Sequence, residues 1–299
     1  MFITVLICTH NRADSLRLTL QSILTPRNLE AADWEMIVVR DAESDQPTAE
    51  LCAKLSREVP SHLRCLVQEK KGKSNAMNAG MAFAKGDVLA MTDDDVLCAP
   101  DYLQGIRDVF SQYSADGVQG RVLLDCDGGR PPWLDRYFAA FMSERDYGDQ
   151  VLPWDENLAG TNMVVRAEAA RRVGGYNPEL GAGAVGFYED SEFSQRLRNA
   201  GCRLIYAPQI MVRHQLPRER LTKGFLRERF FRMGRSDAYL RPLPAPLWRF
   251  GLYALRELLL KETEALGLRV RGQAALALRR QCEARAQLGF FLQHWRMSH

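Results

Sequence analysis

The chain has no Cys-x-x-Cys pair, and its seven cysteines stand singly at positions 8, 52, 65, 98, 126, 202 and 282. An odd, scattered set offers neither a disulfide framework nor the ligand spacing of a zinc site, and it fits a reducing, cytoplasmic compartment. Nowhere do about 18 apolar residues run together, which argues against a helix that spans a bilayer. The opening Met1-Phe2-Ile3-Thr4-Val5-Leu6-Ile7-Cys8 lacks the basic head and small-residue cleavage site of a secretion signal, and its apolar run is strand length. Glycine is missing from Cys8-Thr9-His10-Asn11-Arg12, the turn that follows. Neither the Gly-rich phosphate loop of a nucleotidyltransferase nor the GxGxxG fingerprint of a dinucleotide oxidoreductase therefore follows the first strand. Internal repeats and low-complexity tracts are also absent.

What is present is ordinary for a folded soluble protein: 299 residues, 46% hydrophobic and 26% charged, with 22 Gly and 13 Pro. That length allows one large α/β domain with an appendage. The net charge of +3 conceals an asymmetry. Residues 1–216 hold 23 Lys/Arg against 30 Asp/Glu, and residues 217–299 hold 17 against 7, giving −7 and +10. The basic C-terminal part suits an anionic partner such as phosphates or the headgroups of a membrane surface, with a solvated helical face as the plainer alternative. No nucleic-acid-binding module accompanies the basic bias, so nucleic acid is not expected as a partner.

Residues 1–125 alternate short apolar runs (3–8, 36–39, 63–67, 88–91) with helix-spaced patterns such as Leu16, Leu20, Ile23 and Leu24. The alternation predicts an α/β fold with a mostly parallel central sheet flanked by helices. Asp14 or Ser15 is available to cap the first helix, and Gly72-Lys73-Ser74 opens another. Ligands of open α/β sheets sit outside the carboxyl ends of the strands, which directs the search to residues 9–12, 40–45 and 92–95. Residues 126–160 form a less regular connection carrying Trp133 and Trp154, read chiefly as packing anchors. A strand at 162–166, a helix through Val173, a Gly-rich loop at 181–186, a helix at 191–200 and a strand at 203–207 follow. From Pro217 the pattern is helical, and Leu247/Trp248, Gly251/Leu252, Leu255 and Leu258/Leu259 draw one apolar stripe. The domain reading is thus 1–216 as a catalytic domain, with halves 1–125 and 126–216, and 217–299 as a basic helical extension.

Asp93-Asp94-Asp95 follows the run Val88-Leu89-Ala90-Met91. Adjacent like charges suit a hard cation, Mn2+ or Mg2+, bound through one or two carboxylates and completed by substrate phosphates. Alternation at a strand end favours Asp93 and Asp95 as the metal pair, with Asp94 turned elsewhere in the donor site. Glu189-Asp190 follows a loop of glycines, and Asp190 is the candidate base that takes a proton from an attacking hydroxyl. His214, in an extended segment, is a candidate third metal ligand. Lys73 and Asn78 lie around a helix N-terminus whose free N–H groups suit a phosphate. Phe225, Phe230 and Phe231, interleaved with Arg227, Arg229 and Arg232, offer an amphipathic face toward anionic lipid.

In order, residues 5–12, Ile37-Val38-Val39-Arg40-Asp41, Gly72-Lys73-Ser74 with Asn78-Ala79-Gly80, Asp93-Asp94-Asp95, Gly160-Thr161-Asn162, Gly174-Gly175-Tyr176-Asn177, Glu189-Asp190 and His214 resemble the family 2 glycosyltransferases. The resemblance spans residues 1–215. It implies a GT-A fold and an inverting single displacement from a nucleotide-diphospho-sugar onto a glycan, glycolipid or lipid-linked acceptor. It also places Thr9, Asn11, Arg12 and Asp41 in the nucleotide-sugar site, Asp93 and Asp95 on the metal-diphosphate, Asp190 as base and His214 as a metal ligand. Arg40 departs from the acidic residue usual at its position, which leaves the donor base open. A non-catalytic sugar-nucleotide binder of the same fold is the alternative.

Overall fold

The computed structural model describes residues 1–31, 33–42, 46–244 and 246–298. Within them lie nine strands: β1 (Ile3–Thr9), β2 (Trp34–Asp41), β3 (Leu63–Gln68), β4 (Val88–Thr92), β5 (Val96–Cys98), β6 (Gly117–Cys126), β7 (Leu152–Pro153), β8 (Asn162–Arg166) and β9 (Leu204–Leu216). The helices are α1 (Ala13–Ile23), α2 (Pro26–Glu30), α3 (Gln46–Glu58), α4 (Lys73–Phe83), α5 (Tyr102–Gln112), α6 (Arg136–Phe141), α7 (Ala167–Arg172), α8 (Glu189–Asn199), α9 (Lys223–Leu240), α10 (Leu247–Val270) and α11 (Ala274–Met297).

The sheet runs β3-β2-β1-β4-β8-β6-β9-β5, with β7 beside β9. The alternating apolar runs of the first 92 residues do form a parallel block, β3-β2-β1-β4. Parallel pairing stops there. β8 is antiparallel to β4 and β6, and β9 is antiparallel to β5 and β7, so the sheet is mixed rather than mostly parallel. The parallel block has its reason in β1, whose residues are buried on both faces and read as one apolar run. Ile3, Val5 and Ile7 pack with Leu16, Leu20 and Ile23 of α1, while Leu6 packs from the opposite face with Met77 of α4. Full burial of each of these Leu or Ile side chains is worth roughly 1.5–3 kcal/mol. At Gly80 a methyl group would strike Leu6 and Val39, so only glycine lets α4 lie this close to the sheet.

Two helix starts differ from expectation. α1 begins at Ala13 after Arg12, with no side-chain cap bond, so Asp14 sits in its first turn rather than capping it. α8 begins at Glu189 rather than 191, which draws Glu189 and Asp190 into its first turn. β9 is longer than the predicted 203–207 strand and carries His214. Residues 43–45 of the second expected ligand window lie outside the described residues.

The chain divides into two compact units. One comprises Met1–Asp125, Ala140–Glu179 and Glu189–Gln215; the other comprises Cys126–Ala139, Leu180–Tyr188 and Leu216–His299. The first holds the sheet core. Trp154 is buried in it against Tyr147 and Tyr206. In the second, α11 packs on both α9 and α10. Gly234 of α9 lies against the Ala286 backbone, and Gly289 of α11 against the Phe231 carbonyl, so the two helices touch backbone to backbone. α9 turns its phenylalanines inward: Phe230 is buried edge-on to Phe138, at 6.3 Å between centroids, and Phe225 and Phe231 are half-buried. Phe230, one of the three phenylalanines expected to face lipid, is therefore packed on protein instead.

Candidate functional site

The first unit gathers four sequence segments at the carboxyl ends of the parallel strands. Register sets this up: Thr9 pairs with Arg40, Ile7 with Thr92, and Asp41 with Gln68, so β1, β2 and β4 end side by side. β4 is buried throughout and delivers Asp93, Asp94 and Asp95 directly after its last residue.

The three carboxylates make different contacts, with Arg12 shared between Asp94 and Asp95. Asp94 accepts from Thr9 Oγ1 at 2.7 Å and from Arg12 Nη1 at 3.0 Å. Burial raises its pKa, partly offset by the Arg12 guanidinium. Asp95 accepts from the same Arg12 Nη1 at 3.2 Å, and its other oxygen faces His214 Nε2 at 3.4 Å. Asp93 accepts from Lys73 Nζ at 2.9 Å and Thr161 Oγ1 at 3.0 Å. Burial alone would push Asp93 up, but the Lys73 ammonium holds it below the usual carboxylate range.

Lys73 also reaches Glu189 at 3.4 Å, which joins the Asp triplet to the Glu189-Asp190 pair. Asp190 Oδ2 accepts the Gly160 N–H at 2.9 Å, while Oδ1 is buried with no partner among the described residues. Burial lifts Asp190 to about 7, with Lys73 opposing and the charges of Glu189 and Asp93 adding. An Asp with one vacant, desolvated oxygen and a pKa near neutrality is poised to accept a proton.

His214 Nδ1 lies 2.9 Å from the Met142 carbonyl oxygen. A neutral ring that donates there presents its Nε2 lone pair to Asp95 Oδ1, and two acceptors then face each other across 3.4 Å. A divalent cation would relieve that opposition, so Asp95 and His214 fit a metal. Asp93 does not join them as expected, because Lys73 and Thr161 hold it, and no three such ligands converge among the described residues. Two protein ligands are enough for a hard cation that substrate phosphates complete.

The remaining expected residues divide. Arg12 stands at the rim with its side chain 44% exposed, bridging Asp94 and Asp95. Asn11 adopts φ 55° beside His10, and Asp41 ends β2 half-buried, with Arg40 Nη1 3.4 Å from its carbonyl oxygen. Asn78 is a strut rather than a phosphate contact: its amide donates to the Tyr176 carbonyl and accepts the Tyr176 N–H, at 2.8 and 2.7 Å. Three contributors carry no role in the sequence reading. Gly160 and Thr161 lie in a segment already singled out there, but only their contacts to Asp190 and Asp93 reveal what they do. Arg145 has no local signal at all. It lies in electrostatic reach of Asp190 and Glu156, donates from Nη1 to the Ala140 and Glu144 carbonyls, and leaves Nε buried with no partner among the described residues.

Comparison with known proteins places the chain in a family. The sequence model described as Glycosyl transferase family 2 matches residues 4–174. A glucosyl-dolichyl phosphate glucuronosyltransferase of Haloferax volcanii is 26% identical over 79% of this chain and 76% of its own length. The succinoglycan biosynthesis protein ExoM of Rhizobium meliloti is 25% identical over 80% and 75%. Among solved structures, a mannosyltransferase from Pyrobaculum calidifontis in complex with GDP-Man and Mn2+ superposes with a TM-score of 0.59 at 19% identity, covering 93% of this chain and 85% of that one. That last likeness is one of fold.

Proposed function

The chain belongs to glycosyl transferase family 2 and has its GT-A fold, and from that premise we propose a metal-dependent, inverting transfer of a sugar from a nucleotide-diphospho-sugar to an acceptor hydroxyl. The observation that carries the reading is Lys73, whose ammonium contacts Asp93 and Glu189 together and so brings the Asp triplet and the base into one site.

The donor lies along the carboxyl ends of β1, β2 and β4, with Thr9, Asn11 and Asp41 toward the nucleoside and Arg12 toward the diphosphate. A divalent cation, Mn2+ or Mg2+, held by Asp95 and His214 would offset the charge that grows on the leaving diphosphate. Lys73 keeps Asp93 ionised and moderates the raised pKa of Asp190. Asp190 Oδ1 removes the proton of the acceptor hydroxyl as that oxygen attacks the anomeric carbon, while Gly160 fixes the carboxylate through Oδ2. Arg145, a guanidinium in electrostatic reach of this base whose buried Nε lacks a partner among the described residues, favours an anionic acceptor, in keeping with a lipid-linked phosphate. The site belongs to polysaccharide or glycolipid synthesis at the cytoplasmic side of a membrane.

Thermal denaturation with UDP-, GDP-, dTDP- and CDP-sugars, each with and without Mn2+, tests the donor half of this reading. One nucleotide is expected to raise the melting temperature only when Mn2+ is present. No shift with any donor would overturn it. Gly160 tests the base. A methyl group there would stand 2.5 and 2.6 Å from the two Asp190 oxygens, so Gly160→Ala must turn the carboxylate aside. Transfer is expected to fall about a hundredfold with donor binding unchanged, as a small misplacement of a catalytic group does.

A further inference from the structure

Helix α10 has its packed and free faces back to back. Phe250, Ala254 and Ala265 are buried, and α10 packs on α11. Roughly opposite on the helical wheel stand Trp248, Leu252, Leu255, Leu259, Leu266 and Val270, exposed by 69%, 62%, 54%, 62%, 62% and 84%. Single exposed leucines are ordinary on any surface, but six large apolar side chains in one line are not.

The spacing of that line says what shape it meets. Trp248 to Leu266, and Leu252 to Val270, each span 18 residues, about five turns of a straight helix at 3.6 residues per turn. A seam made for a second helix repeats every seven residues and winds around its partner. Trp248, Leu252, Leu255, Leu259 and Leu266 do keep that spacing, but the seam positions between and after them, 262 and 269, are Glu262 and Arg269, so a helical seam here would be broken by charge; the line itself extends for about 33 Å at 1.5 Å per residue. An apolar line interrupted by charge at those seam positions, on a helix whose other side is packed on protein, fits a plane better than a second helix.

Charge decides which plane. Two of the acids of α10 turn to α11: Glu262 accepts from Gln281 at 2.6 Å, and Glu264 pairs with Arg280 at 3.2 Å. Arg249 and Arg256, both exposed, border the stripe, and residues 217–299 together hold 17 Lys/Arg against 7 Asp/Glu. No helix among the described residues is long and apolar enough to cross a membrane. We propose that α10 is a membrane-docking helix that lies in the headgroup region of an anionic bilayer, its Trp248-to-Val270 stripe inserted and Arg249 and Arg256 on lipid phosphates. Apolar insertion and attraction to anionic headgroups then act together, and Trp248 suits the boundary between them. The proposal rests on the surface of the helical unit and not on the transfer chemistry.

Co-sedimentation of the full chain with phosphatidylcholine vesicles, with and without phosphatidylglycerol, at low salt, tests it. The chain is expected to pellet with the anionic vesicles. Replacing Leu252, Leu255 and Leu259 together by Gln lowers the partition about a hundredfold, from the lost apolar burial. Arg249→Gln and Arg256→Gln lower it about fivefold each and weaken its salt dependence. Transfer to a water-soluble acceptor stays unchanged in these variants, because the substituted residues belong to the helical unit and the proposed catalytic residues to the sheet unit. Asp190→Asn should conversely lose transfer and still pellet, so the two readings fail separately. A chain that stays in the supernatant with phosphatidylglycerol vesicles, or a triple variant that pellets as well as its parent, overturns the proposal. A dimer that the triple substitution dissociates, with no vesicle binding, overturns it in favour of a second copy on the stripe.

Discussion

Replacing Asp190 by Asn is expected to abolish transfer while leaving donor binding intact. The substitution keeps the size of the side chain and an oxygen for the Gly160 N–H, but removes the lone pair that receives the acceptor proton. General-base catalysis contributes roughly two to four orders of magnitude, so the turnover number should fall by about that factor while the donor dissociation constant, read by calorimetry with Mn2+, is unchanged. Thermal stability should not fall above neutral pH, because Asn relieves the chain of a buried carboxylate charge. The pH profile carries the same information. Burial raises Asp190 to about 7, and only the deprotonated form works as a base, so transfer is expected to rise with pH through about 7 and level above it. Lys73→Met removes the opposing positive charge and should move that limb to higher pH. A limb that stays in place in Lys73→Met, or turnover that survives Asp190→Asn, would assign the proton to another group.

The second large effect is expected at Asp95. Asp95 Oδ1 and His214 Nε2 face each other at 3.4 Å, and a cation between them has few other protein ligands among the described residues to fall back on. Asp95→Ala should therefore weaken Mn2+-dependent donor binding by at least about a hundredfold, since even indirect supports of a metal site cost up to that much. Donor binding without metal should change little. Asp94→Asn is the contrast: its carboxylate is committed to Thr9 and Arg12, so the Mn2+ dependence should persist. Equal Mn2+ dependence in Asp95→Ala and the parent chain, by calorimetry on protein whose melting curve is intact, would remove Asp95 from the metal site.

Much of this was legible in the sequence. Apolar runs of strand length mark β1, β2 and β4, and the carboxylates that follow β4 sit at a strand end because chain order and strand direction leave them nowhere else. Patterns of this kind are local. They follow from which residues lie two, three or four apart, and each segment carries them unaided.

Partners are not local. The tie between Asn78 and Tyr176 joins positions 98 apart, Thr9 meets Asp94 across 85, and Asp190 finds Gly160 across 30, so no short window holds both ends. Periodicity drew an apolar stripe on α10 without saying which side of it would pack, because a helix wheel has no inside until another helix supplies one. The sequence by itself determined most of the elements, the parallel block and the placing of the acidic residues at a strand end. Only the tertiary structure decided that Lys73 joins the two acidic groups, that His214 opposes Asp95, that Arg145 comes within electrostatic reach of Asp190, and that the α10 stripe is left facing outward. Each of those depends on the three-dimensional closure of chain segments, whose outcome is set by the sum of packing over the whole fold rather than by any one stretch of residues.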